Sequence, residues 1–421
     1  MGGAKRQWME DAESGLNAGA MVGKFVCAEC FTDSSIQRVV EGAIASDVCT
    51  FCGAQSDEGI AAPLETVMQH VVQCLRLHYD DPANCLPHDS AEGGYQVGVT
   101  FDSWEVLDEV GMGDCLSEER DGLLDAIRSS LQDAEWCQRD PFDLHEHEKL
   151  SFSWEQFREL VKHERRFFLL GVRPPYSERD GADRLLAPAE MLQTLLEYCR
   201  SLVVPLATGT VLFRARQQQP GNSPYATPLE LGPPPAEHAK QNRLSPAGIV
   251  MAYFAEDEST ALAETIPSKG TLPGTAFAVG EFQLTKELCV LDFASAPPVP
   301  SIFDRSRVSE IDPALFLQEF LRDFAKAIER DDRVHIDYVP TQVVTEYLRW
   351  STSLRALGVR GLRYRSAQGN GTCVVIFGGR ELLHVPEEHR EKLVQPDQSQ
   401  RTTNPCLRLL RSYQVEARSC L

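Results

Sequence analysis

The chain has 421 residues, 43% of them hydrophobic and 24% charged, which excludes a fully disordered protein and predicts two or three domains. Its net charge of -21 is lopsided: residues 1–200 hold 17 basic and 37 acidic side chains, residues 201–421 hold 24 and 25, so a general nucleic-acid surface is excluded from the first half. No apolar run spans a bilayer and the first 20 residues lack the apolar centre of a secretory signal, so the expectation is a cytoplasmic chain with its 13 cysteines kept as thiols.

Residues 1–22 are small and polar and read as a flexible tail. Residues 23–60 hold two cysteine pairs. From 61 to 200 the pattern is helical. Leu64, Met68, Val71, Val72 and Leu75 share one helical face, residues 101–137 read as short helices, and 154–170 is amphipathic and stopped by Pro174 and Pro175. Another helix is expected over 188–203. After Pro205 the signal turns to short apolar runs, with strands expected at 210–215, 249–255, 277–284, 288–293, 361–364 and 372–377. Asp257 is placed to cap a helix running to about Ile266. Further helices are expected at 316–330 and 342–357, and the Pro/Gln-rich stretch 217–243 reads as a long loop over a site. The fold class expected is α+β: an N-terminal zinc module and helical domain, an α+β domain over 201–385, and a C-terminal tail over 386–421 that is too polar to fold from Gln395 onward.

Cys27 and Cys30 form one CxxC, and Cys49 and Cys52 form a second, with 18 residues between the pairs. Four thiolates at this spacing suit a closed, tetrahedral, structural zinc site, with Gly53 supplying the tight turn after the second pair. Such a site leaves no open position for catalysis. Three weaker groups read as ordinary surface. His70, Cys74 and His78 lie along one helical face. His145, Glu146, His147 and Glu148 are too close in sequence to share one ion on a helix. Arg158 and His163 spell R-x4-H, similar to the short active-site motif of HEPN ribonucleases, on what reads as a structural helix.

Three segments of the second half look like parts of one site: Leu212-Phe-Arg-Ala-Arg216, Arg243-Leu-Ser-Pro-Ala-Gly-Ile leading to Tyr253 and Glu264, and Gly361-Leu-Arg-Tyr-Arg-Ser366. Their order of Arg, Tyr, Glu and Ser resembles the RES domain family over about residues 201–385, and Tyr338-Val-Pro-Thr-Gln342 fits a subgroup of it. The N-terminal region, with its cysteine pairs, looks like the domain that precedes RES or HEPN domains in some bacterial proteins.

The resemblance implies a fold similar to that of ADP-ribosyltransferases, a split β-core around a nicotinamide cleft. It implies a toxin or defence effector that consumes NAD+ by hydrolysis or phosphorolysis of the nicotinamide–ribose bond. ADP-ribosylation of a protein on the same fold is the first alternative; an inert zinc-bearing interaction protein and a HEPN-like ribonuclease are the others. It implies a neutralising antitoxin or sensor as possible partner and permits a homo-oligomer. By the same resemblance Arg214, Glu264, Ser366 and Tyr253 are the catalytic candidates. Arg243, Arg216 and Asn370 join Arg214 and Tyr253 as substrate contacts.

The chemistry of those side chains agrees. Breaking an N-glycosidic bond puts positive charge on the sugar, which a carboxylate such as Glu264 offsets. A guanidinium makes bidentate contacts to a pyrophosphate, the role open to Arg214. A tyrosine ring stacks on nicotinamide, and the Ser366 hydroxyl is small enough to serve a carboxylate or an amide. No GxGxxG follows a strand here, so NAD+ reads as substrate rather than as a redox cofactor.

Overall fold

The computed structural model describes residues 15–91, 94–95, 97–118, 122–169, 185–219, 221, 223–266, 275–326, 333–387 and 405–416. It divides into two compact units, one of residues 1–145 with 299–312 and the other of residues 146–298 with 313–421. Among the described residues no helix is long and apolar enough to cross a membrane.

In the first unit, β1 (Phe25–Cys27) pairs antiparallel with β2 (Ala61–Pro63), with α1 (Ser34–Glu41) between them in sequence. Asp33 caps α1 by accepting the amides of Ser35 and Ile36. α2 (Leu64–His78) follows β2 directly and buries Leu64, Met68, Val71, Val72 and Leu75, the stripe its spacing predicts. A three-stranded antiparallel sheet of β3 (Tyr79–Asp80), β4 (Thr100–Asp102) and β5 (Glu135–Gln138) frames α3 (Ser103–Glu109) and α4 (Leu123–Ser130), with β5 central. The expected helical character of 101–137 is therefore mixed: its ends pair as strands. Residues 1–14 of the expected tail lie outside the described residues, while Leu16 and Met21 are buried in this core.

The second unit opens with α5 (Glu146–Glu159), continued by a π-helical turn at Leu160–Glu164, and α6 (Pro188–Cys199). The expected stop at Pro174–Pro175 lies outside the described residues. These helices were expected to close the N-terminal helical domain at 200. They belong to the second unit instead, because Leu150, Trp154 and Phe157 are buried with Phe316 and Phe320, the Trp154 and Phe320 rings meeting edge to face at 5.0 Å.

The sheet of this unit has eight strands: β6 (Val203–Leu206), β7 (Val211–Gln217), β8 (Ala252–Ala255), β9 (Ala276–Leu284), β10 (Leu288–Asp292), β11 (Val359–Arg365), β12 (Thr372–Ile376) and β13 (Leu407–Glu416). Their spatial order is β13-β9-β7-β8-β12-β11-β10-β6. All pairs are antiparallel except β10 with β11. That parallel pair requires a long crossover, supplied by α8 (Ile311–Ala325) and α9 (Val339–Trp350). α7 (Glu258–Thr265) follows β8 and is capped by Asp257, whose carboxylate accepts the Thr260 amide at 2.8 Å.

Two features of this sheet decide where the site lies. β7 and β8 are joined at a single residue pair, Phe213 with Ala255, so the sheet is nearly split between them. The C-terminal segment is also not a tail throughout. Residues 407–416 form β13, in register with β9 from Leu284 to Ala276, and Leu407 is fully buried. Nothing local in LRLLRSYQVE signals its distant partner, and pairing with β9 gives its alternate apolar residues a core to enter. The polar stretch expected to be disordered, 395–405, lies outside the described residues apart from its last position.

Candidate functional site

Glu264 sits in the last turn of α7, the negative end of that helix, where a carboxylate is electrostatically misplaced. Its neighbours compensate. Ser366 donates its hydroxyl to Glu264 Oε1 at 2.6 Å, and the Cys373 thiol lies 3.9 Å from the same oxygen. The Gln368 amide donates to Ser366 Oγ at 3.1 Å, which directs the hydroxyl proton toward the carboxylate. Ser366 is held in turn by its amide on the Gly371 carbonyl, at 2.9 Å. Gly371 is required there: a Cβ would collide with Thr260 Oγ1 on α7. The hairpin between β11 and β12 therefore seats on the helix that bears Glu264. Burial, with Glu264 nearby, pushes the Cys373 thiol up to about 12, so it remains a neutral donor.

Glu264 faces a cavity of about 370 Å3, lined also by Gln241, Asn242, Arg243, Tyr253, Tyr338 and Tyr364. Three tyrosines stand around one carboxylate, one arginine and the side-chain amides of Gln241, Asn242 and Gln368, so the pocket offers aromatic faces and polar groups together. Tyr253, on β8, shares a 2.8 Å hydrogen bond between its hydroxyl and Ser245 Oγ. Burial raises the phenols of Tyr253 and Tyr364 well above their usual value, so both stay neutral. Arg243 donates to the Lys326 carbonyl at 3.1 Å and lies 5.8 Å from the Phe324 ring centroid. Its buried Nε has no hydrogen-bond partner among the described residues. Burial lowers the Arg243 pKa, partly offset by Tyr364, Tyr338 and Glu264.

The candidate residues thus separate. Arg243, Tyr253 and Glu264 line the cavity and Ser366 supports Glu264 from behind. Arg214 does not line it. Its guanidinium spans the near-split of the sheet and donates to the Tyr253 carbonyl at 2.9 Å, and burial together with Arg216 pushes it down to about 9, so it is still cationic at neutral pH. Arg216 is turned away from the cavity and held by the Gly232 carbonyl. Asn370 is exposed at the tip of the β11–β12 hairpin, and Gln368 occupies the cavity wall instead. The strand register decides these outcomes, since it fixes where each side chain of β7 emerges. Tyr338 and Tyr364 lie within the quoted motifs but had no role in the sequence reading. Their signal was an aromatic residue at the start of a helix and within a strand, which core residues also give.

The four cysteines converge in the first unit. Cys27 ends β1, Cys30 closes the turn after it, and Cys49 and Cys52 flank a turn completed by Gly53 at φ 69°. Their sulfurs lie within 4.8 Å of one another, with Cys27–Cys30 at 3.6 Å, Cys27–Cys52 at 3.4 Å and Cys30–Cys49 at 3.6 Å. Zinc–sulfur bonds of about 2.3 Å place tetrahedral sulfurs about 3.8 Å apart, so this donor set fits the ion. The Cys27 amide points at Cys49 Sγ at 3.4 Å, a contact that favours a thiolate.

Two of the weaker groups make contacts of their own outside the cavity. His70 Nε2 meets the Phe303 carbonyl at 2.8 Å, and the Cys74 thiol lies 3.5 Å from the same ring nitrogen. Arg158 pairs with Asp323 at 3.1 Å, while His163 is 50% exposed and 3.8 Å from Glu159.

Comparison with known proteins gives two family matches. Residues 43–174 match HEPN/RES N-terminal domain 1, and residues 211–397 match the RES domain. No curated protein matches the chain. The crystal structure of the M. tuberculosis MbcT-MbcA toxin-antitoxin complex aligns over 52% of this chain and 91% of that chain at 15% identity, with a TM-score of 0.25 that bears no weight. The cavity holding Glu264, Tyr253 and Arg243 falls within the RES match and Cys49 and Cys52 within the other, so residues 211–397 belong to the RES domain family and residues 43–174 to that of HEPN/RES N-terminal domain 1.

Proposed function

We propose that the RES domain splits the nicotinamide–ribose bond of NAD+, and that the chain acts as an NAD+-consuming toxin or defence effector. One observation supports this above the others: a carboxylate, Glu264, oriented by the Ser366 hydroxyl at 2.6 Å, faces a cavity of about 370 Å3 with three tyrosines and a poorly solvated guanidinium, Arg243, in its wall.

The parts have distinct tasks. The tyrosines enclose the nicotinamide and displace water from it. As the C–N bond lengthens, the electron pair leaves with neutral nicotinamide and the ribose becomes cationic. Glu264 lies where that charge appears and stabilises it more in the transition state than in the bound substrate. Ser366 keeps the carboxylate aimed. Water then adds to the sugar and loses a proton, giving ADP-ribose; phosphate adding in its place gives ADP-ribose 1″-phosphate. Arg243 holds the pyrophosphate. Arg214 acts one step back, fixing the Tyr253 backbone across the sheet opening. Within the same reading the four cysteines hold a structural zinc that secures the first unit.

The test is to incubate purified protein with NAD+, with and without phosphate, and identify the products. Free nicotinamide with ADP-ribose marks hydrolysis, and nicotinamide with the 1″-phosphate marks phosphorolysis. Label transferred from NAD+ onto protein supports ADP-ribosyl transfer instead. Unchanged NAD+ removes the catalytic reading.

A further inference from the structure

Arg243 and Asn242 reach the cavity from a tight turn, in which the Asn242 amide donates to the Ser245 carbonyl at 2.8 Å and the Ser245 amide returns to the Asn242 carbonyl at 3.3 Å. Among the described residues the turn pairs with no strand of the sheet. It is held from behind by the first turn of α9. Thr341 Oγ1 donates to the Arg243 carbonyl at 2.6 Å. The Gln342 side-chain amide donates to the Asn242 carbonyl at 2.8 Å and to the Ser245 carbonyl at 3.3 Å, bridging the two ends of the turn. Ser245 passes the constraint on to the Tyr253 hydroxyl. Thr341 and Gln342 are buried, and neither lines the cavity.

From this geometry we infer that Thr341 and Gln342 are positioning residues that set the affinity for the dinucleotide by clamping the Arg243 turn. The inference rests on the reading of the cavity as an NAD+ site. A guanidinium on a flexible stem makes useful bidentate contacts only when its backbone is fixed, and ordering it beforehand lowers the cost of binding. Glu264 and Ser366 are carried by α7 and the β11–β12 hairpin, independent of this clamp. The clamp therefore acts on binding more than on the bond-breaking step. Behind the turn lies a cavity of about 440 Å3 that shares Leu244 and Gln342, so water can reach the carbonyls if Gln342 is shortened. Loss of the clamp should loosen the turn without collapsing the domain.

The test compares Gln342→Leu, Thr341→Val and Thr341→Ser with the parent chain. Losing fixed hydrogen bonds of this kind should raise KM for NAD+ on the order of tenfold, with kcat changed less than about threefold. Thr341→Ser, which keeps the hydroxyl, should restore the parent KM. Two readouts do not depend on turnover: the affinity for NAD+ in a Glu264→Gln background, and hydrogen exchange over residues 240–251, which should quicken in Gln342→Leu with no ligand present. Unchanged exchange and unchanged affinity in both Gln342→Leu and Thr341→Val overturn the inference, as does a fall in kcat with KM constant. Quickened exchange with weakened NAD+ affinity in a parent chain that leaves NAD+ intact would uphold the clamp and refute the catalytic reading alone.

Discussion

Glu264→Gln is the most direct perturbation of the site. Gln keeps the length and shape of the side chain, and its carbonyl still accepts the Ser366 hydroxyl now 2.6 Å from Oε1, so the change removes charge and little else. A ribosyl cation forming about 4 Å from the carboxylate, at an effective dielectric of about 20, is stabilised by about 4 kcal/mol. Full loss of that interaction corresponds to about a thousandfold in rate, and relaxation of the remaining dipoles brings the expectation to ~10²–10³ in kcat. The melting temperature should hold, because Glu264 is a half-buried cavity residue in the last turn of α7 and Gln fills the same space. The assay is NAD+ consumption by the purified variant beside a thermal melt. Turnover within about fivefold of the parent at an unchanged melting temperature would refute the electrostatic role of Glu264 and the mechanism built on it.

Four further outcomes follow from other parts of the molecule. Purified protein should hold about one zinc per chain, and replacing Cys27 or Cys49 by Ser should lower the first melting transition while NAD+ turnover changes little; a well-folded, zinc-free sample by metal analysis would refute the site. Gly371→Ala should destabilise by about 1–3 kcal/mol and slow turnover, since the new methyl drives the hairpin of Ser366 off Thr260 on α7; chemical denaturation and the NAD+ assay read both. Asp323 receives Lys326 at 2.9 Å, the Trp154 indole N–H at 2.9 Å and Arg158 at 3.1 Å; against the burial that would raise it, these contacts hold its carboxyl below the usual value. Its contribution to stability is therefore complete above the unfolded value of about 4 and lost as pH falls through the depressed one. Asp323→Asn should lose less melting temperature than the parent between pH 6 and pH 3, and His163→Ala, at a half-exposed side chain whose partner is Glu159, should change neither stability nor turnover.

What the amino-acid order determined by itself is local. Two CxxC pairs with a glycine after the second define a four-sulfur site, because the short spacings leave few other ways to satisfy the thiols. Asp257 before Glu258 starts a helix, since its carboxylate meets the free amides of the first turn wherever the helix later packs. The stripe Leu64–Met68–Val71–Leu75 buries for the same reason of period. The tertiary structure alone decided the rest. Arg214 reaches across the sheet to Tyr253 and Arg216 to Gly232 because the pairing of β7 with β9 and the near-split from β8 set where each emerges. Tyr338 and Tyr364 become cavity wall rather than core only because the start of α9 and the strand β11, which place them 26 positions apart in the chain, converge on one opening. β13 finds β9 across more than a hundred residues, a pairing that depends on a core already built and is invisible in either segment alone.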